Sequence, residues 1–132
     1  MIGKSELRIS CATDASRVRS LRHALEEFLR VFRLDDEFVE DVLLASGEVL
    51  ANAVEHGAGA EGWSQVELVA RGIDGMLAVD ISDSGRFIER ERVSGRGFGL
   101  GIVRQIARSV TIDAREGTRV RMLFDSRLNQ QT

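Results

Sequence analysis

Glu48-Val-Leu-Ala-Asn52-Ala-Val-Glu-His56-Gly57 is the stretch on which the reading of this chain turns. In a helix Glu48 and Asn52 project from one face, a turn apart, so a carboxylate and a carboxamide converge on the same space. The helical pattern begins near Asp35 or Asp36 and carries Val39, Val42, Leu43, Ser46, Val49, Leu50 and Ala53 around one broad face. Gly57 is a natural C-terminal stop, and Glu48, Asn52 and Glu55 fall on the other side. Gly47 sits in mid-helix, where glycine costs about 1 kcal/mol against alanine. Its reason is either close approach by a neighbouring helix or access to the polar face.

Working outward, Glu6 to Ala12 alternates polar and apolar residues like a strand with one buried face. Asp14 is placed to cap a helix whose apolar residues Val18, Leu21, Leu25, Phe28 and Phe32 recur at helical intervals. Downstream, Gln65 to Arg71 and Met76 to Ser82 read as two antiparallel strands, with hairpin turn chemistry in Gly72-Ile-Asp-Gly75. Ile102, Val103, Ile106 and Val110 predict a third amphipathic helix. Val110 to Asp113 and Thr118 to Phe124 predict a last pair of strands around Glu116-Gly117. The order β-α-α-β-β-loop-α-β-β predicts an α+β two-layer sandwich, a mixed, mainly antiparallel sheet with helices covering one face. Residues 1–132 read as a single domain.

The loop carries a second signal. Asp83-Ser-Gly85 ends a strand, and Gly95-Arg-Gly97-Phe-Gly99-Leu-Gly101 precedes a helix. Such glycines let backbone approach phosphate oxygens, and a helix starting near Gly99 aims free N–H groups at an anion. Asp83 can accept from an adenine amino group while Gly85 leaves bare backbone for the base, although Asp-Ser-Gly is also a common turn. Arg86, Arg90, Arg92 and Arg96 suit a lid over phosphates because guanidinium pairs bidentately with them. Glu89 and Glu91 alternate with these arginines, as in an ordinary charged loop, but Arg96 stands between two glycines. His56 can touch phosphate or ribose, or interact with the helix dipole. Taken together, the two signals suit a magnesium nucleotide and point to ATP.

Composition narrows the classes. The 132 residues are 43% hydrophobic and 30% charged, with a net charge of −3 and a pI near 5.4. That is a soluble globular balance without the basic face nucleic acid requires. No apolar run approaches a membrane span, and the first residues have no signal-peptide core, so a cytoplasmic protein is expected. Cys11 is the only cysteine, which excludes an internal disulfide and a cysteine-based zinc site. A homodimer is compatible with this sequence.

An E-x-x-x-N-A helix, a D-x-G after a strand, a G-x-G-x-G before a helix and a late G-T, in that order, resemble the GHKL ATPases. That superfamily includes gyrase, heat-shock chaperone, histidine kinase and mismatch-repair ATP-binding domains. Within it the chain is most similar to the small bacterial anti-sigma-factor serine kinases and related switch kinases. The resemblance implies that Asn52 binds Mg²⁺ and that Glu48 is the general base. It also implies that Asp83 and Gly85 confer adenine selectivity with help from Thr118. His56, Gly95, Arg96, Gly97, Gly99, Leu100 and Gly101 would surround the phosphates. Phe87 stands where the fuller D-x-G-x-G pattern has its second glycine, a change that reshapes the lid entrance. The resemblance further implies a serine/threonine kinase whose substrate is a small anti-sigma-factor antagonist and whose sequestered partner is a sigma factor. Two other classes stay open: a noncatalytic ATP-binding module that sequesters a partner, and a stand-alone histidine-kinase-like domain. For the partner surface, the outer face of helix one, with Arg17, Arg19 and Arg22, is expected to meet acidic protein beside the lid.

Overall fold

A computed structural model describes residues 5–57, 65–84, 100–115 and 117–125. The elements run β1 (Glu6–Ala12), α1 (Ala15–Arg30), α2 (Asp36–Gly57), β2 (Gln65–Ile73), β3 (Met76–Asp83), α3 (Leu100–Ile106), β4 (Ser109–Asp113) and β5 (Thr118–Phe124). Their strands form one sheet in the order β1-β2-β3-β5-β4. The mixed, mainly antiparallel sheet expected from the sequence is antiparallel at each of these pairings. The β2–β3 connection is a tight hairpin, and the chain re-enters through α3 and β4 to lay β5 beside β3 in the opposite sense.

Local chemistry explains the elements. The Asp14 carboxylate accepts from the Ser16 and Arg17 amides at 2.9 and 3.4 Å, satisfying two donors at the start of α1. Helix α1 buries Val18, Leu21, Leu25 and Leu29. It ends before Phe32, which the periodicity had placed in the helix, and Arg33 then takes a positive φ of 55°. Phe28 and Phe32 are only partly buried and meet edge to face at 5.2 Å, leaving the deep position to Leu29. The β hairpin is tighter than Gly72-Ile-Asp-Gly75 suggests. Ile73 pairs with Met76, so the turn is Asp74-Gly75 alone, with both φ angles positive, as a type I′ turn demands. Helix α3 buries Val103, with Ala107 just beyond its end, while Ile102 is exposed. Val110 belongs to β4, because α3 is a helix of only 7 residues.

All seven residues assigned to the core face of α2 are buried, joined by Phe38 and Ala45. They pack on a sheet face where Ile9, Leu68, Ile81, Val120 and Ile112 stand in one cross-strand row. The opposite sheet face is polar. There Arg8, Val69, Asp80, Arg121 and Thr111 share a row, and Asp80 accepts from Arg121 at 2.8 and 3.0 Å and from Arg119 at 3.0 Å. Burial pushes the Asp80 carboxyl up, but these hydrogen bonds and charges outweigh it and hold it below the usual range. No helix among the described residues is long and apolar enough to cross a membrane.

Candidate nucleotide site

Helix α2 reaches the site because of how it is anchored at its other end. Phe38, in its first turn, meets Phe124 edge to face at 6.5 Å, and Phe124 pairs with Leu77 at the start of β3. From Phe38 to Asn52 the helix rises about 21 Å, and from Leu77 to Asp83 the strand rises about 20 Å. The two spans match, so a helix running along β3 from that contact would bring Asn52 toward the end of the sheet that carries Asp83. Glu48 lies a turn before Asn52, and both are half-buried at the edge of the core face.

At the sheet end, Asp83 pairs with Val66 on one side and Thr118 on the other. Ser84 clamps this corner: its amide donates to the Gln65 carbonyl at 3.2 Å, and its hydroxyl accepts from the Gln65 amide at 3.1 Å. Gly117 seals it from the β5 side. Its φ is +76°, and a Cβ there would collide with the Asp83 carbonyl and come within 3.3 Å of the Ser84 Cα. The sequence places Gly117 in a turn and in the late G-T motif, and the structure adds that it lets β5 press against the Asp83-Ser84 backbone. The left-handed backbone alone should cost Gly117→Ala about 1–3 kcal/mol, before any clash. A thermal melt of that variant is expected to fall by several degrees; an unchanged melt would mean that this corner tolerates a side chain.

Leu100 and Gly101 open α3, which packs against α2. A Cβ on Gly101 would meet no described atom within 4 Å, so packing does not require glycine there. Gly47 is different. The Arg22 side chain of α1 crosses it, with Nε 3.3 Å from where a Cβ would stand, so the neighbouring helix reaches Gly47 only through the end of an exposed arginine. His56 lies in the last turn of α2. Gly85, Gly95, Arg96, Gly97 and Gly99, the Arg86 to Arg96 lid and Phe87 lie outside the described residues.

The donor set fits magnesium held through a nucleotide. Among the described residues no group of three or more His, Cys, Asp or Glu gathers as a metal cage, whereas Asn52 offers a half-buried neutral oxygen ligand. Mg²⁺ bound mainly by phosphates and water needs no more than that from the protein.

A helix-borne carboxylate and carboxamide and a strand-end aspartate in a two-layer sandwich are the features expected of a GHKL-type nucleotide-binding domain. The chain belongs to the histidine kinase-like ATPase domain family, whose model matches residues 11–124. Among solved structures, the RsbU and RsbW domains of Rv1364c from Mycobacterium tuberculosis share the fold with a TM-score of 0.70 and 23% identity. That match covers 91% of this chain and 31% of the other, so the chain spans about a third of that protein. The histidine kinase AdeS from Acinetobacter baumannii has a TM-score of 0.53 at 13% identity, covering 89% of this chain and 68% of that one. No curated protein sequence matches the chain.

Proposed function

We propose that this chain is a cytoplasmic ATP-dependent serine/threonine protein kinase of the anti-sigma type. Its substrate is a small antagonist protein, and its sequestered partner is a sigma factor. The reading rests on two observations, Glu48 and Asn52 one turn apart and half-buried on α2, and Asp83 paired with Thr118 at the end of β3. Membership of a histidine kinase-like ATPase family and likeness in fold to an RsbW domain support it.

In this reading the Asp83 carboxylate accepts from the adenine amino group, with Thr118 beside it and Gly85 leaving room for the base. Asn52 would hold Mg²⁺, which when bound neutralises phosphate charge. His56, Leu100, Gly101 and the glycines and Arg96 of the loop would surround the phosphates. Glu48 takes the proton from a serine or threonine hydroxyl as its oxygen bonds to the γ-phosphorus; the bond to the β-phosphate oxygen breaks and ADP leaves. Positioning supplies most of the acceleration, so the hydroxyl must arrive in line on a docked partner. Incubation with labelled ATP and candidate antagonist proteins, followed by mapping of the labelled residue, tests the reading. Label on serine or threonine supports it, and label on histidine would replace it with the histidine-kinase alternative.

The docking face in this reading is α1. Arg17, Arg19 and Arg22 are exposed there, Arg17 pairing with the capping Asp14 at 3.5 Å and Arg22 lying over Gly47. Rim charges act mainly on association rate and salt dependence. Reversing Arg19 and Arg22 to glutamate is expected to weaken the partner complex and flatten its salt slope without altering ATP affinity. A salt series on both proteins checks this, and an unaltered affinity and slope would place the interface elsewhere.

A further inference from the structure

At the far end of α2 from Asn52, a hollow of about 430 Å³ opens between α2, α3 and the end of β5. Its floor is apolar: Phe38 and Phe124 are each 2% exposed, and Ala107 lies beside them. On its rim Arg108 is already neutralised by Asp125 at 2.9 Å, whereas Asp41 has no ion pair or hydrogen bond among the described residues. Glu37, one turn before Asp41 on the same face of α2, is exposed and likewise forms no ion pair among those residues. The hollow therefore joins a closely packed aromatic floor to a rim on which Asp41 and Glu37 have no cationic partner among the described residues. Asp41 lies about 16 Å along the helix from Asn52, so this place is separate from the nucleotide site.

We propose that the hollow is a docking site for a basic segment of a partner protein. An arginine or lysine of that segment pairs with Asp41, and an adjacent aliphatic side chain lies over Phe38 and Phe124. Charge selects this occupant: an acidic segment would meet Asp41 with Glu37 beside it, and a purely apolar one would leave Asp41 desolvated without a partner. The sign is opposite to that of the arginine face of α1, so the two surfaces would take partners of opposite charge.

The test is a titration of the isotope-labelled chain with the peptide Gly-Leu-Arg-Ala-Leu-Arg-Gly, followed by amide NMR, with a glutamate-for-arginine peptide as control. Saturable shifts at Phe38, Asp41 and Ala107 are expected from the basic peptide alone, and they should weaken as salt rises and persist with Mg-ATP present. Asp41→Lys should raise the dissociation constant at least tenfold. The near-isosteric Asp41→Asn should raise it less, and its unperturbed spectrum controls for folding. Absence of saturable shifts, equal binding of the acidic peptide, or unchanged affinity in both variants would overturn the proposal. Shifts that follow protein concentration instead of peptide would assign the hollow to a second copy and overturn it equally.

Discussion

Glu48→Gln is expected to lower phosphoryl transfer by roughly 10²–10⁴-fold while leaving ATP affinity unchanged. A general base acts on the proton that moves in the transition state, so its loss appears in turnover and hardly in ground-state binding. The substitution is nearly isosteric, and Glu48 lies half-buried at the rim of the helix face instead of in the core, so the fold should persist. Single-turnover transfer to an identified protein substrate, alongside calorimetric titration of Mg-ATP, measures both halves. A variant that turns over at the parent rate removes Glu48 from the mechanism. One that loses ATP binding as well would make it a binding residue.

The second large effect belongs to Asp83. Its carboxylate ends β3 between Val66 and Thr118, with the corner held by Ser84 and Gly117. Asp83→Asn keeps the size but removes the charge and one of the two acceptor oxygens, so the bond from an adenine amine loses its charge assistance. A hydrogen bond involving a charged group contributes about 1.5–3 kcal/mol, so ATP affinity should fall roughly tenfold to a hundredfold. Because Ser84 and Gly117 fix this corner through its backbone, the melt without nucleotide should stay close to the parent's. Thermal shift with ATP and GTP reads both. Undiminished protection by ATP in the variant would show that Asp83 does not read the base.

Much of this was legible because it is local. The α2 core face follows from periodicity, and Asp14 and Gly75 announce their cap and turn by residue type. What escaped the sequence depends on residues far apart in the chain. Phe32 satisfies the α1 period, but helical bonding stops before it and Leu29 takes the deep position. Ile102 fits an amphipathic pattern that a helix of 7 residues is too short to complete. The embrace of Asp80 by Arg119 and Arg121 depends on strand order and register, which periodicity within one strand does not contain. Gly117 was legible as a turn and motif glycine, but its place against the Asp83-Ser84 backbone was not. Asn52 and Asp83 could be named from motifs, whereas the contact of Phe38 with Phe124, which ties the start of α2 to the end of β5, could not.

In the proposed reading this chain binds a magnesium adenine nucleotide through Asn52 and Asp83. Titration calorimetry of the purified chain with ATP, in magnesium and again in excess EDTA, and with GTP in magnesium, tests it most directly. One saturable site for Mg-ATP, binding that weakens sharply in EDTA, and little or no heat from GTP are expected. Absence of ATP binding under every condition, or equal affinity for GTP, would contradict it.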